Sequence, residues 1–279
     1  MTTKLTIFSS SLTLYTSMLG AGINFMPNAF ESVGYLNALF IMSFIALLTF
    51  CTLYAVAFTA SKRGSSKGTS YSELGYNISY PLGIIVDLSI LLALCLISLA
   101  YFNYIVQMAV LFFTGIKNDD QIFFYYKLIF MTAIMIIFYL LSLQKDLSRL
   151  RFTYYACVIS VFYLIFLLFV LNCFLKDKIS NGHFEAFNSN YSTGLPLFIL
   201  VFSCQVNMVQ VFYVMEKKNT KGILLVSFFS SLGGVVTYFI IGFLGYKLFG
   251  AKANGLDMVN IFCDKNSILN SHLSQYSFI

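Results

Sequence analysis

Met18-Leu19-Gly20-Ala21-Gly22-Ile23-Asn24-Phe25-Met26-Pro27 sets two glycines and a proline inside a charge-free run that otherwise reads as a membrane span. The chain has only three prolines, so the position of each carries weight. Helix-breaking residues at bilayer depth release amides and carbonyls that lipid cannot satisfy, and such a break survives only where protein buries it or it lines a watery cavity. A broken span is therefore a candidate binding site. The alternative is that Gly20 and Gly22 simply let helices pack closely, as small residues do in membranes.

Hydrophobic residues make up 59% of the 279 positions and charged residues 10%, with mean hydropathy +0.82, which excludes an ordinary soluble domain and indicates a polytopic membrane protein. We read one transmembrane helical domain over residues 1–249 and an outer, loop-like tail over 250–279. The net charge of +6 is spread over short connections between apolar runs, so it sets orientation and does not form a nucleic-acid surface. Cys51, Cys95, Cys157, Cys173, Cys204 and Cys263 include no Cys-x-x-Cys pair and no histidine neighbours, which argues against a metal or redox centre. Cys173 and Cys263 fall on the same side in the topology below and could pair. No catalytic constellation converges, so an enzyme is not expected, and no cofactor is implied.

Apolar runs long enough to cross the hydrocarbon core lie at residues 5–30, 35–60, 82–114, 121–143, 152–174, 194–215 and 222–246. With the N-terminus cytoplasmic, ten basic residues fall inside and seven outside, and the inner ones cluster at span ends, as positive-inside orientation requires. The first run continues uncharged far beyond a signal-peptide core, so it is read as an uncleaved span. On this topology the sequon Asn190-Tyr191-Ser192 faces outward and is a glycosylation candidate. The polar linker 61–72 fails the phosphate-loop pattern and is read as a solvated basic loop near anionic lipid.

A second irregularity lies in the sixth span, where Ser203, Cys204, Gln205 and Asn207 interrupt an apolar helix. Transporters built from inverted repeats show interrupted spans at corresponding positions of their two halves, with substrate held between them. Freed amides at Gly20, Ala21, Gly22 and Ile23 suit a carboxylate, and freed carbonyls near Phe202–Cys204 suit an ammonium group. Together they describe a zwitterion. Interhelical hydrogen bonding by Ser203, Gln205 and Asn207 is the plainer alternative.

The stretch LGAGINFMPNAFESVG resembles the first-helix signature of the amino acid/auxin permease family, within the amino acid, polyamine and organocation superfamily. Ser203-Cys204-Gln205-Val206-Asn207 is similar to that family's S-C-H-x-N in the sixth helix. Lys145-Asp146-Leu147-Ser148-Arg149-Leu150-Arg151 resembles its basic lead-in to the fifth, and Gly242-Phe243-Leu244-Gly245-Tyr246-Lys247-Leu248-Phe249-Gly250 its ending of the seventh. The resemblance implies an all-α leucine-transporter-type inverted-repeat fold and coupled amino acid transport by alternating access. It also implies a plasma, vacuolar or lysosomal membrane, with H+ or Na+ as coupling ion. Gln205 stands where the family commonly has histidine, and Thr16 where many members have asparagine. The fold so implied has ten core helices, whereas this chain reads as truncated after about seven; a fragment, a natural truncation and completion by a partner subunit all stay open.

Thr16 joins the candidate substrate-binding set, as do Tyr101 and Tyr104 of the third span, which share one helical face. Asp87, the carboxylate within that span, is a coupling or gating candidate. Gly233, Gly234, Gly242 and Gly245 in the seventh span are expected to permit close helix contact. Two other functions compete. A truncated sensor or accessory subunit would bind amino acids without moving them. A seven-helix receptor would place the N-terminus outside, and its usual motifs after the third span and in the seventh are missing here.

Overall fold

The computed structural model describes residues 5–62, 71–114, 121–143, 151–174, 185–250 and 258. Every extended element among them is helical, apart from one bridge pairing Leu5 with Met215. The first span is not one helix. It consists of α1 (Ile7–Met18), a 3-10 turn (Ala21–Phe25) and α2 (Met26–Val33), which carries the chain past the apolar run. Then come α3 (Tyr35–Lys62), α4 (Tyr71–Tyr76), α5 (Tyr80–Thr114), α6 (Gln121–Ser142) and α7 (Arg151–Phe174). The sixth span is also divided, into α8 (Tyr191–Val201) and α9 (Gln205–Val214), and α10 (Thr220–Phe249) follows.

Among the described residues five segments are long and apolar enough to cross a bilayer: Tyr35–Lys62, Tyr80–Val110, Tyr154–Phe174, Tyr191–Val214 and Thr220–Phe249. The expected first span is not among them because its break divides it into short pieces. The fourth is the helix α6, Gln121–Ser142, of 22 residues. The tail at 251–279, apart from Met258, lies outside the described residues, and with it Cys263 and the expected pairing with Cys173.

The helices fall into two compact units. The first joins the described residues of Met1–Ser70 to those of Thr153–Ile279, and α10 is its axis. One face of α3 buries Ala38, Met42, Ile45, Thr49, Leu53, Ala57 and Ala60 at helical spacing. The contacts Tyr35–Phe243 and Phe50–Phe228 run α3 antiparallel to α10. In contrast, α1 runs parallel to α10: Ser230 Oγ donates to the Ser11 carbonyl at 3.0 Å, and Tyr15 Oη bonds Thr237 Oγ1 at 2.6 Å further along. The glycines of α10 make these approaches possible. A Cβ on Gly233 would press on the Tyr15 ring, on Gly234 on Phe202 and Met18, on Gly242 on Phe30, and on Gly245 on Pro27. With lipid outside, close van der Waals packing of this kind holds helices together where hydrophobic exclusion cannot.

The second unit is Tyr71–Phe152. Phe102–Phe138 and the stacked Phe113–Phe130 pair join α5 to α6 as an antiparallel hairpin. Short α4 folds back on α5, where the Tyr76 hydroxyl donates to Asp87 Oδ2 at 2.7 Å.

Candidate functional site

The helical ladder stops at Leu19, whose amide still reaches the Tyr15 carbonyl at 3.2 Å. Gly20 is fully extended (φ −137°, ψ −167°), and the next amide to close a turn is that of Ile23, onto Gly20 at 3.1 Å. The amides of Gly20, Ala21 and Gly22 therefore open a new helical turn with no turn behind them to accept their protons. Pro27 sits in the first turn of α2, where a missing N–H costs nothing.

The second break has a different local geometry. No glycine or proline occupies Phe202–Cys204. Instead Ser203 Oγ donates back to the Ile199 carbonyl at 2.9 Å, and its amide closes a tight turn onto Leu200 at 3.2 Å. The same serine back-bond occurs at Ser230 and Ser231 within unbroken α10, so at Ser203 it accompanies the break and does not by itself make it. The Asn207 amide then bonds the Cys204 carbonyl at 3.0 Å as α9 begins.

The two breaks meet. A Cβ on Gly22 would run into the Val201 side chain, so glycine here serves close approach as well as interruption. Tyr238 of α10, fully buried, donates its hydroxyl proton to the Met18 carbonyl at 2.6 Å and lies 3.5 Å from the Val201 carbonyl. Its ring packs edge-on against Phe202, with centroids 5.7 Å apart. One side chain thus faces the last carbonyl before each break.

The pairing continues at both ends. Leu5 exchanges backbone bonds with Val214 and Glu216, both at 2.9 Å, tying the start of α1 to the end of α9. Residues 185–190 strap α2 to α3: Tyr35 and Leu36 amides donate to Glu185 and Ala186, while Asn188 and Asn190 amides donate to Val33 and Ser32. Gly34, at φ 83°, turns the corner directly beneath the Ala186 carbonyl.

Gly20, Gly22, Ile23, Cys204 and Gln205 all lie at this junction, with Ile23 and Cys204 buried. Ala21 opens the 3-10 turn. Thr16 is buried one turn earlier, and its hydroxyl donates to the Leu12 and Thr13 carbonyls of its own helix. Ser203 and Asn207 are exposed. Gln205 Nε2 approaches Thr52 Oγ1 at 3.4 Å, and both line a largely apolar cavity of about 670 Å³ between α3 and α8, with Phe44, Ile199 and Ser203. Tyr101, Tyr104 and Asp87 are on α5 of the second unit, and Asp87 fastens α4 there. Asn190 is exposed at the cap of α8, its side-chain oxygen accepting from Ser192 Oγ at 2.9 Å. Tyr238, Val201 and Thr52 are missing from the residues expected from sequence. The signal for Tyr238 was present: a hydroxyl-bearing ring in an apolar span needs a buried acceptor.

Apolar spans, two of them interrupted and held together at the interruptions, define a multi-pass helical membrane protein with a backbone-lined polar junction. The chain belongs to the transmembrane amino acid transporter protein family, whose model matches residues 3–267. It is 24% identical over 264 residues to vacuolar amino acid transporter 5 of Saccharomyces cerevisiae, covering 88% of this chain and 57% of that protein. Over 256 residues it is 25% identical to vacuolar amino acid transporter 5 of Schizosaccharomyces pombe, covering 90% and 60%. Vacuolar amino acid transporter 6 of Saccharomyces cerevisiae matches at 24% over 258 residues, covering 89% and 57%. The chain thus spans less than two thirds of the length of these relatives. No solved structure matches it. The family and these relatives are transporters, not enzymes, and membership sets aside the receptor reading.

Proposed function

We propose that the chain forms the substrate-binding part of a secondary amino acid transporter of the leucine-transporter-type inverted-repeat class, taking neutral, zwitterionic substrates by alternating access. The observation that carries this reading is the meeting of the two breaks, Gly22 against Val201. Amides that open a helical turn favour a carboxylate, and at the second break the Phe202 and Cys204 carbonyls, each accepting one amide, keep a second lone pair for an ammonium, so the pair suits both charges of one small solute without ionised side chains. The names of the relatives favour a vacuolar-type membrane. In this reading Thr16, Gly20, Ala21, Gly22, Ile23, Ser203, Cys204, Gln205 and Asn207 bind substrate. The N-terminus is cytosolic and Asn190 faces the opposite side.

Uptake of labelled neutral amino acids into proteoliposomes holding the full natural protein tests the proposal. Saturable uptake abolished by collapsing a H+ or a Na+ gradient supports it and names the coupling ion. Saturable binding without flux would instead make the protein a sensor or accessory subunit, and neither binding nor flux would refute both. A mobility shift on glycosidase treatment, lost in Asn190→Gln, would fix the orientation.

A further inference from the structure

Tyr238 has one hydroxyl proton and faces two carbonyl oxygens, Met18 at 2.6 Å and Val201 at 3.5 Å. Each belongs to the residue that ends the regular helix before a break, one in the first span and one in the sixth. The side chain is fully buried, so water does not replace a lost bond there. At these distances the proton is committed to Met18, with Val201 at the outer limit of hydrogen bonding.

Two neighbours fix how the ring sits. Phe202 packs edge-on against it, and Gly234, one turn earlier on α10, gives Phe202 and Met18 room against the helix backbone. The neighbouring hydroxyl pair, Tyr15 with Thr237 at 2.6 Å, fastens α10 to the first span alone. Tyr238 therefore differs from its neighbour in touching both spans.

We propose that Tyr238 is a positioning residue that couples the two breaks: its hydroxyl donates to Met18 in the arrangement seen here and to Val201 when the broken spans shift. This rests on the transport reading for its purpose, and on the distances above for its mechanism. A single donor shared by two acceptors makes the states exclusive, because each break is satisfied at the other's expense. Removing the hydroxyl leaves a buried carbonyl unmet in both arrangements.

The test is Tyr238→Phe in the full natural chain in nanodiscs, read by hydrogen–deuterium exchange, with Thr237→Val as comparison. The ring, and so its packing on Phe202, is kept. The expected result is about tenfold faster exchange at both 19–25 and 202–207 in Tyr238→Phe, with Thr237→Val leaving 202–207 unchanged. Faster exchange at 19–25 alone, at neither segment, or equally at both in Thr237→Val overturns the proposal. In proteoliposomes Tyr238→Phe is expected to lower maximal uptake about tenfold while moving the half-saturating concentration less than about threefold; uptake at the full maximal rate also overturns it. If the unmodified chain moves no amino acid, the transport reading fails, and the exchange result still decides the coupling.

Discussion

Gly22 lies so close to Val201 that no side chain fits between them, and this contact joins the first broken span to the sixth. Gly22 lies in the 3-10 turn that follows the first break, and Val201 ends the helix before the second. Gly22→Ala is expected to force the breaks apart at a cost of about 1–3 kcal/mol, the usual range for overpacking. Thermal melting in detergent measures the loss. Val201→Ala placed in the same chain is expected to recover most of it, since the overlap is with the valine side chain; no recovery would mean that the glycine is needed for its backbone alone.

The strap at 185–190 depends on Gly34. At φ 83° and ψ 153° the backbone occupies a region that β-carbon sterics close to other residues, and a Cβ there would sit 2.6 Å from the Ala186 carbonyl oxygen. Gly34→Ala is expected to cost about 1–3 kcal/mol and to release the strap from α2 and α3. Limited proteolysis reads this directly, as faster cleavage within 185–190; an unchanged cleavage rate would contradict it.

Asn172 of α7 donates from Nδ2 to its own Leu168 carbonyl and to Leu244 of α10, each at 2.9 Å. A hydrogen bond between helices in a membrane contributes about 1 kcal/mol. Asn172→Ala should lower stability by about that amount, while Asn172→Gln, with a longer reach, should lose part of it. Unfolding in mixed micelles distinguishes the two, and equal stability of all three chains would show that the link to α10 carries no weight.

Glu31 lies one residue beyond the apolar part of the first span, and its carbonyl accepts from Asn188 of the strap at 3.0 Å. Burial, and then the negative charge of Glu185, raise its carboxyl above the usual glutamate value. Folded protein therefore holds this proton more tightly than unfolded chain does. Stability contributed here increases as pH falls from above the raised value toward the ordinary one of 4.5, and is lost as pH rises through that window. Melting temperature measured across the window should fall with rising pH, and Glu31→Gln should flatten the slope. A slope of the opposite sign in the unmodified chain would exclude this role for Glu31.

Local composition determined where the spans run and where they fail. Charge-free runs of sufficient length must become helices in lipid, because no other open backbone satisfies itself there. Gly20 and Gly22 mark where the ladder stops in the first span, and the polar stretch around Ser203 marks where the sixth is divided. For the same reason the family motifs were legible in the chain, since they lie in these short stretches. The partner of each freed group was not. Nothing near residue 18 in sequence points to Tyr238, 220 positions away, and the expected pairing of the two breaks did not single out Val201 as the contact of Gly22. Apolar helices are nearly uniform around their circumference, so periodicity does not say which face meets which neighbour. Only the packing of α10 against the breaks, set by the small residues Gly233 and Gly234 under Tyr15, Met18 and Phe202, decided that.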